Sequence, residues 1–356
     1  MAVAGALGAL VALGAGAVAP VPAAAAAMTI TAQLDDCTML VGEGPLTGGL
    51  TLTIRRGTAT KPIVTVKLPS DGSGTWRVGW SCATARLRTG DRIRAVVGST
   101  SQQWVVPAMP ASADPAVDLV AGSLPNTGGT LKLYLSPCFD LIDCYGPTLV
   151  TTPDRFTDAT WSSTVNPPFD LNGSDQAFID WTTPGAHWTW NLIAPYIAAR
   201  PGSAVVSGRA QEGLRFGVKL LASGGAVRAT GTAVASRYGG RWKLTLRKNG
   251  VAVKVRPGDR VRAQLFAGSS VTVIDPGLVY HADSGLASAT CLPGAPYLAT
   301  AAKPGSSPYQ LMGTADGTTG AVELDFSVMV PATGWTVTLR CKDPIGMQVV
   351  TSVRAS

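Results

Sequence analysis

A stretch near residue 76 returns near residue 242, and this internal repeat restricts the possible folds more than any other feature. Around Trp76 the chain reads GTWRVGW and continues into LRTGDRIRAVV; around Trp242 it reads GRWKLTL and continues into VRPGDRVRAQL. The two tryptophans lie 166 residues apart and the two Gly-Asp aspartates, Asp91 and Asp259, 168 apart. Half that interval reaches a weaker copy, ATWSSTV with Trp161 and LNGSDQAFIDW with Asp175. The weakest copy is GAVELDF at 320–326 with TGWTVTLR at 333–340. A period of about 80 residues is too long for a solenoid unit and suits a small sandwich module.

Within a copy the side chains alternate. In Arg241-Trp242-Lys243-Leu244-Thr245-Leu246-Arg247 the apolar residues fall at 242, 244 and 246, with polar residues between them. Successive strand residues point to opposite faces, so this pattern predicts one buried and one wet face. Val253 and Val255 against Lys254 and Arg256 repeat it, as do Val261 and Ala263 against Arg260 and Arg262. The Pro257-Gly258-Asp259 between them is turn chemistry: proline fixes φ and glycine is free to take a positive one. With 41 Gly and 25 Pro in 356 residues, 46% apolar content and only 14% charged residues, the chain breaks often yet can bury a core. The expected fold is all-β, with four modules at about 28–108, 109–199, 200–278 and 279–356. PAMPASADP (107–115) reads as a linker and ARPGS (199–203) as a short joint.

The order V-x-G, an apolar strand, G-x-W-x-x-x-L and then L-x-P-G-D-x-V resembles the bacterial immunoglobulin-like and carboxypeptidase-regulatory-like β-sandwich repeats. The resemblance is close in the first and third copies and loose in the second and fourth, two of which lack the Gly-Asp turn. It implies tandem small immunoglobulin-like sandwiches on a secreted or surface protein, acting as spacers, stalks or adhesive units.

Residues 1–27 carry no charge and end in a run of small residues, which predicts an export segment, either a cleaved signal peptide or a retained membrane anchor. No Lys or Arg precedes Arg55, so the usual positive start of a signal peptide is missing. The six cysteines fit an exported chain, and their spacing suggests three local disulfides: Cys37 with Cys82, Cys138 with Cys144, and Cys291 with Cys341. With two histidines and no paired-cysteine motif, no metal and no cofactor is expected.

The net charge of +7 is unevenly shared, at +4, −7, +11 and −1 over the four modules in order. In the third module Arg241, Lys243, Arg247, Lys254, Arg256, Arg260 and Arg262 fall on outward strand positions. That gives three readings: a solvated face, a surface for a cell-wall polymer or polysaccharide, or a dock for the acidic second module. Nucleic acid is not expected, since no recognition motif appears. The second module holds 11 of the 23 aromatics. Trp188 and Trp190 share a strand face, and with Trp181, His187 and Asp180 they form a candidate carbohydrate site, rings stacking on a sugar while the carboxylate accepts hydroxyl protons. Core packing is the competing reading, and the two differ in whether the rings are exposed.

Three motifs carry less than they suggest. Leu124-Pro125-Asn126-Thr127-Gly128 matches a sortase signal but is followed by more than 200 residues of patterned strands. Asn172-Gly173-Ser174 is a glycosylation sequon. DLNGSDQ (170–176) spaces oxygens as a cation loop does, without the twelve-residue EF-hand pattern, and reads as the second module's version of the Asp91 turn. Asp154, Asp158, Asp170, Asp175 and Asp180 are the carboxylates that could serve glycoside hydrolysis. No serine elbow or phosphate loop occurs, and the chain is read as non-catalytic.

Overall fold

The computed structural model describes residues 28–33, 39–44, 48–69, 74–80, 85–125, 128–139, 143–146, 148–153, 155–157, 159–165, 169–236, 239–328 and 334–355. The N-terminal apolar segment, Cys37 and Cys82 lie outside these residues. The fold is all-β, with no helix among the described residues.

The first group of strands is β1 (Thr29–Gln33), β2 (Met39–Glu43), β3 (Leu50–Arg55), β4 (Val64–Leu68), β5 (Thr75–Gly79), β6 (Arg92–Val97) and β7 (Thr100–Val105). The second is β8 (Ala111–Asp114), β9 (Leu119–Ser123), β10 (Thr130–Ser136), β11 (Leu149–Thr151), β12 (Arg155–Thr157), β13 (Thr160–Thr164), β14 (Gln176–Thr183) and β15 (Ala186–Ile193). The third is β16 (Tyr196–Ala199), β17 (Val205–Arg209), β18 (Arg215–Leu221), β19 (Val227–Val234), β20 (Arg241–Thr245), β21 (Arg247–Lys248), β22 (Val251–Ala252), β23 (Arg260–Ala263) and β24 (Ser270–Thr272). The fourth is β25 (Val279–His281), β26 (Leu286–Thr290), β27 (Pro296–Ala302), β28 (Tyr309–Thr314), β29 (Ala321–Asp325), β30 (Thr336–Lys342) and β31 (Gln348–Arg354).

These groups do not stand as four separate sandwiches. They join in pairs through two continuous seven-stranded sheets, ordered β11-β10-β14-β15-β1-β2-β5 and β20-β17-β16-β31-β30-β27-β28. In the first half (β1–β15) the long sheet is faced by β4-β3-β6-β7 and β12-β13-β9-β8; in the second (β16–β31) by β22-β21-β19-β18-β23-β24 and β25-β26-β29. Each long sheet is closed at its middle by a parallel pair. In one, β1 lies beside β15, with Ile30 opposite Ala186 and Gln33 opposite Thr189; in the other, β16 lies beside β31, with Ala198 opposite Gln348. The first strand of each half thus runs alongside its last. Tyr196–Ala199, within the second module by a boundary at 199, pairs with β17 and β31 of the second half.

The repeat seen in the sequence is a repeat of packing. Trp76 sits opposite Gly42, Trp161 opposite Gly122 and Trp242 opposite Gly208, each indole lying across the glycine of the neighbouring strand. In the fourth copy Val322 faces Ala289, a smaller residue against a larger partner. The first half buries one apolar core from Met28 to Ala194, shared by both its strand groups. The second half has two cores, one around Ile197, Trp242 and Val261 and one around Ala299, Phe326 and Leu339.

Candidate functional site

One turn, downstream of Trp76, Trp161, Trp242 and, in the fourth copy, Val322, is built four times on one backbone plan. Residue 90 donates its N–H to Val106 O, 174 to Ala194 O, 258 to Val273 O and 334 to Ala355 O. The next residue in each copy accepts the return bond from Val106, Ala194, Val273 or Ala355. In three copies that residue is a buried aspartate whose Oδ2 accepts the N–H three residues earlier: Arg88 for Asp91, Asn172 for Asp175 and Arg256 for Asp259. DLNGSDQ is therefore the same turn as the one holding Asp91. Gly90 and Gly258 have φ of 82° and 83°, the left-handed region where glycine is unstrained.

A buried carboxylate needs a counter-charge, and each copy supplies it from a different place. Arg56 grips Asp91 through Nε and an Nη at 3.1 and 3.2 Å, while Arg228 pairs with Asp259 from β19. In the fourth copy Trp335 replaces the aspartate, and the cation remains, Lys303 lying 5.5 Å over its ring. Asp175 draws its partner from the other half of the molecule. Lys342 Nζ donates to Asp175 Oδ1 at 2.5 Å, to Cys138 O at 3.1 Å and to Tyr145 Oη at 3.2 Å.

This last contact is the centre of a polar joint between the halves. The described residues around the Cys138–Cys144 disulfide, Cys138, Phe139 and Tyr145, meet the adjoining ends of β30 and β31. Gln348 Nε2 donates to Phe139 O at 2.7 Å, Gln310 Nε2 to Asp143 Oδ1 at 2.9 Å, and Gly173 N to Ile345 O at 3.0 Å. Lys342 and Asp175 are each about 1% exposed. Burial pushes the Asp175 carboxyl up and the Lys342 ammonium down, and their contact opposes both shifts. Burial also raises the Tyr145 phenol, with the Asp175 charge adding to it, and lifts the Asp343 carboxyl to about 6. Sequence reading missed Lys342, Gln348, Gln310 and Tyr145. By alternation Lys342 falls on a solvent face of β30, and only the loop of the other half makes it interior.

The aromatic site does not form as expected. Trp181 and Trp188 are cross-strand neighbours on the inner face of the long sheet, each 3% exposed, and Trp181 Nε1 donates to Gly128 O. Trp190 packs against the same core with a buried Nε1. The three share a face, as alternation requires, but it is the face that closes the first half, so no sugar can stack on Trp181 or Trp188. Asp180 and His187 point the other way, with His187 Nε2 at 3.4 Å from Asp180 Oδ2. That hydrogen bond raises the imidazole pKa, burial opposing it.

The basic residues of the third group occupy two separate faces. Arg260 and Arg262 lie on exposed positions of β23, with Arg247 on β21 of the same sheet and Lys254 and Arg256 in the segment leading to its turn. No carboxylate occurs in any strand of that six-stranded sheet. Arg241 and Lys243 belong to β20, on the outer face of the seven-stranded sheet. The Cys138–Cys144 and Cys291–Cys341 bonds both form. Asp154 and Asp158 lie outside the described residues, as do Asn126 and Thr127 of the sortase-like motif. Asp175 is committed to the joint.

No protein-family model matches the chain, and no curated protein matches it. Among solved structures it is similar to a tetra-tandem repeat from the extending region of a large adhesion protein, at 14% identity over 93% of this chain and 100% of that one, with a TM-score of 0.17. It is also similar to the FN1–FN3 domains of chicken CNTN1, at 6% identity over 92% and 97% of the two chains, TM-score 0.17. A third is the structure of a 1.5-MDa bacterial ice-binding adhesin bearing on host cell surface retention, at 12% identity over 92% and 96%, TM-score 0.16.

Proposed function

We propose that the chain is a non-catalytic structural or adhesive segment of an exported or cell-surface protein, suited to bearing tension along its length. One observation carries this reading: each half begins and ends on neighbouring parallel strands. The chain enters the first half at the start of β1 and leaves at the end of β15, which are opposite ends of one shared ladder. It enters the second at the start of β16 and leaves at the end of β31. Pulling on the chain therefore slides the paired strands past one another and loads their hydrogen bonds together. Antiparallel termini would open one bond at a time. The disulfides fit an oxidising compartment, where such bonds persist.

Single-molecule pulling tests this through the choice of attachment points. Handles at Thr29 and Ile193 load the β1–β15 ladder in shear; handles at Thr29 and Ala186 grip the same end of both strands and unzip it. The expected result is a several-fold higher rupture force for the first pair, since forced unfolding follows the unfolding barrier. Equal forces would remove the mechanical basis of the reading.

A further inference from the structure

The outer face of the second half's long sheet is hollowed along the β16–β31 seam into a groove of about 640 Å³. Its floor is made by small side chains, Ala198 and Ser207, beside Gln348. Arg241 and Lys243 stand on one bank and Arg340 on the other, with Arg200 along it and the buried Arg209 in its wall, and no carboxylate lines it among the described residues. Two of these guanidinium groups are held in place: Arg209 donates to Gly239 O and Arg200 to Ser352 Oγ. From β20 to β30 is four strand steps, or about 19 Å at the usual spacing. With long side chains reaching inward from both banks, the space left is the width of a single extended polymer chain.

The fold does not require these cations. The two seams superpose residue by residue: Ile30 opposite Gly42 corresponds to Ile197 opposite Gly208, and Thr182 opposite His187 to Lys342 opposite Gln348. By that register Arg340 stands where the first half has Asp180, Arg209 where it has Glu43, and Arg241 where it has Thr75. Lys243, by contrast, stands where the first half has Arg77, so it is the cations at Arg340, Arg209 and Arg241 that are particular to the second seam.

We infer that this groove binds a chain of anionic polysaccharide. Arginine forks match carboxylate and sulfate or phosphate oxygens in pairs, and a flat floor of small residues admits sugar rings lying along the strands. The aromatic residues that line it, Tyr196 and Trp242, are buried, so the groove offers no exposed stacking surface of the kind that single-stranded nucleic acid uses. This inference does not rest on the load-bearing reading.

The test compares two variants of the full chain that lose the same charge. Lys243→Gln with Arg340→Gln removes one cation from each bank; Arg260→Gln with Arg262→Gln removes two from the opposite sheet. Binding is measured to polygalacturonate, dextran sulfate and neutral dextran, with thermal melts confirming that both variants fold. The expected result is polyanion binding that weakens with salt. It should fall about tenfold or more in the groove variant and less than twofold in the other, with neutral dextran unbound. A preference for polygalacturonate would assign carboxylated chains and one for dextran sulfate esterified chains, and either supports the site. Equal losses in the two variants, no polyanion binding, or equal binding of neutral dextran would overturn it.

Discussion

A methyl group added at Gly42 would lie 2.0 Å from the Trp76 ring, closer than any side chain can approach. Gly42→Ala should therefore push the indole aside and cost about 1–3 kcal/mol, the usual range for overpacking, read as a lower urea midpoint with unchanged slope. The tryptophan was legible in the sequence because it recurs; its glycine partner lies on another strand and shows only in the register. Burial of Trp181 and Trp188 shows the limit of alternation, which tells which residues share a face but not which face is inside. The joint makes a sharper demand. Asp175→Asn leaves Lys342 buried without its counter-charge and should cost about 3–5 kcal/mol, whereas Asp175→Leu combined with Lys342→Met should recover most of the loss. Asp343 adds a pH dependence. Its carboxyl is raised to about 6 by burial, so the native state holds the proton more tightly than the unfolded chain. The resulting stabilisation is complete below the ordinary carboxylate pKa of about 4 and disappears as pH rises through about 6. Urea midpoints of the native chain should fall over that window relative to those of Asp343→Asn.

At the level of elements, the repeat pointed to three copies of the turn, at Asp91, Asp175 and Asp259, and the fourth shows only in the backbone ladder that Gly334 and Trp335 close with Ala355. Asp91, Asp175 and Asp259 could be matched by their Gly-Asp or Ser-Asp context. Their counter-ions could not be matched. Arg56 arrives from just after β3, Arg228 from β19 and Lys342 from β30, the last 167 residues away. The Cys138–Cys144 loop has a specific task in this arrangement, since its carbonyls at Cys138 and Phe139 receive Lys342 and Gln348. Closing a loop of this length restricts the unfolded chain by about 2 kcal/mol. Replacing both cysteines with serine should lower stability by about that amount. Amide exchange at Asp343, Gly346 and Met347 should accelerate while β3 and β6 stay protected, because the released loop would uncover only the far end of β30 and β31.

For the whole molecule, four sequence copies become two paired sandwiches, each closed by a parallel seam, with the halves locked through buried polar contacts. None of this pairing was readable from the period. A repeat specifies a module, but which edges meet depends on contacts between residues as distant as Ile30 and Ala186. The division of the basic residues between two faces follows from the same cause, since β20 leaves its module's other sheet to join the long one. The lock is the central claim, and a distance distribution between spin labels at Lys67 on β4 and Lys219 on β18 tests it most directly. Both positions are exposed and lie in different halves. A joint held by Lys342, Asp175 and Gln348 predicts a single narrow distribution that broadens in Asp175→Asn, whereas a broad distribution in the unaltered chain would contradict it.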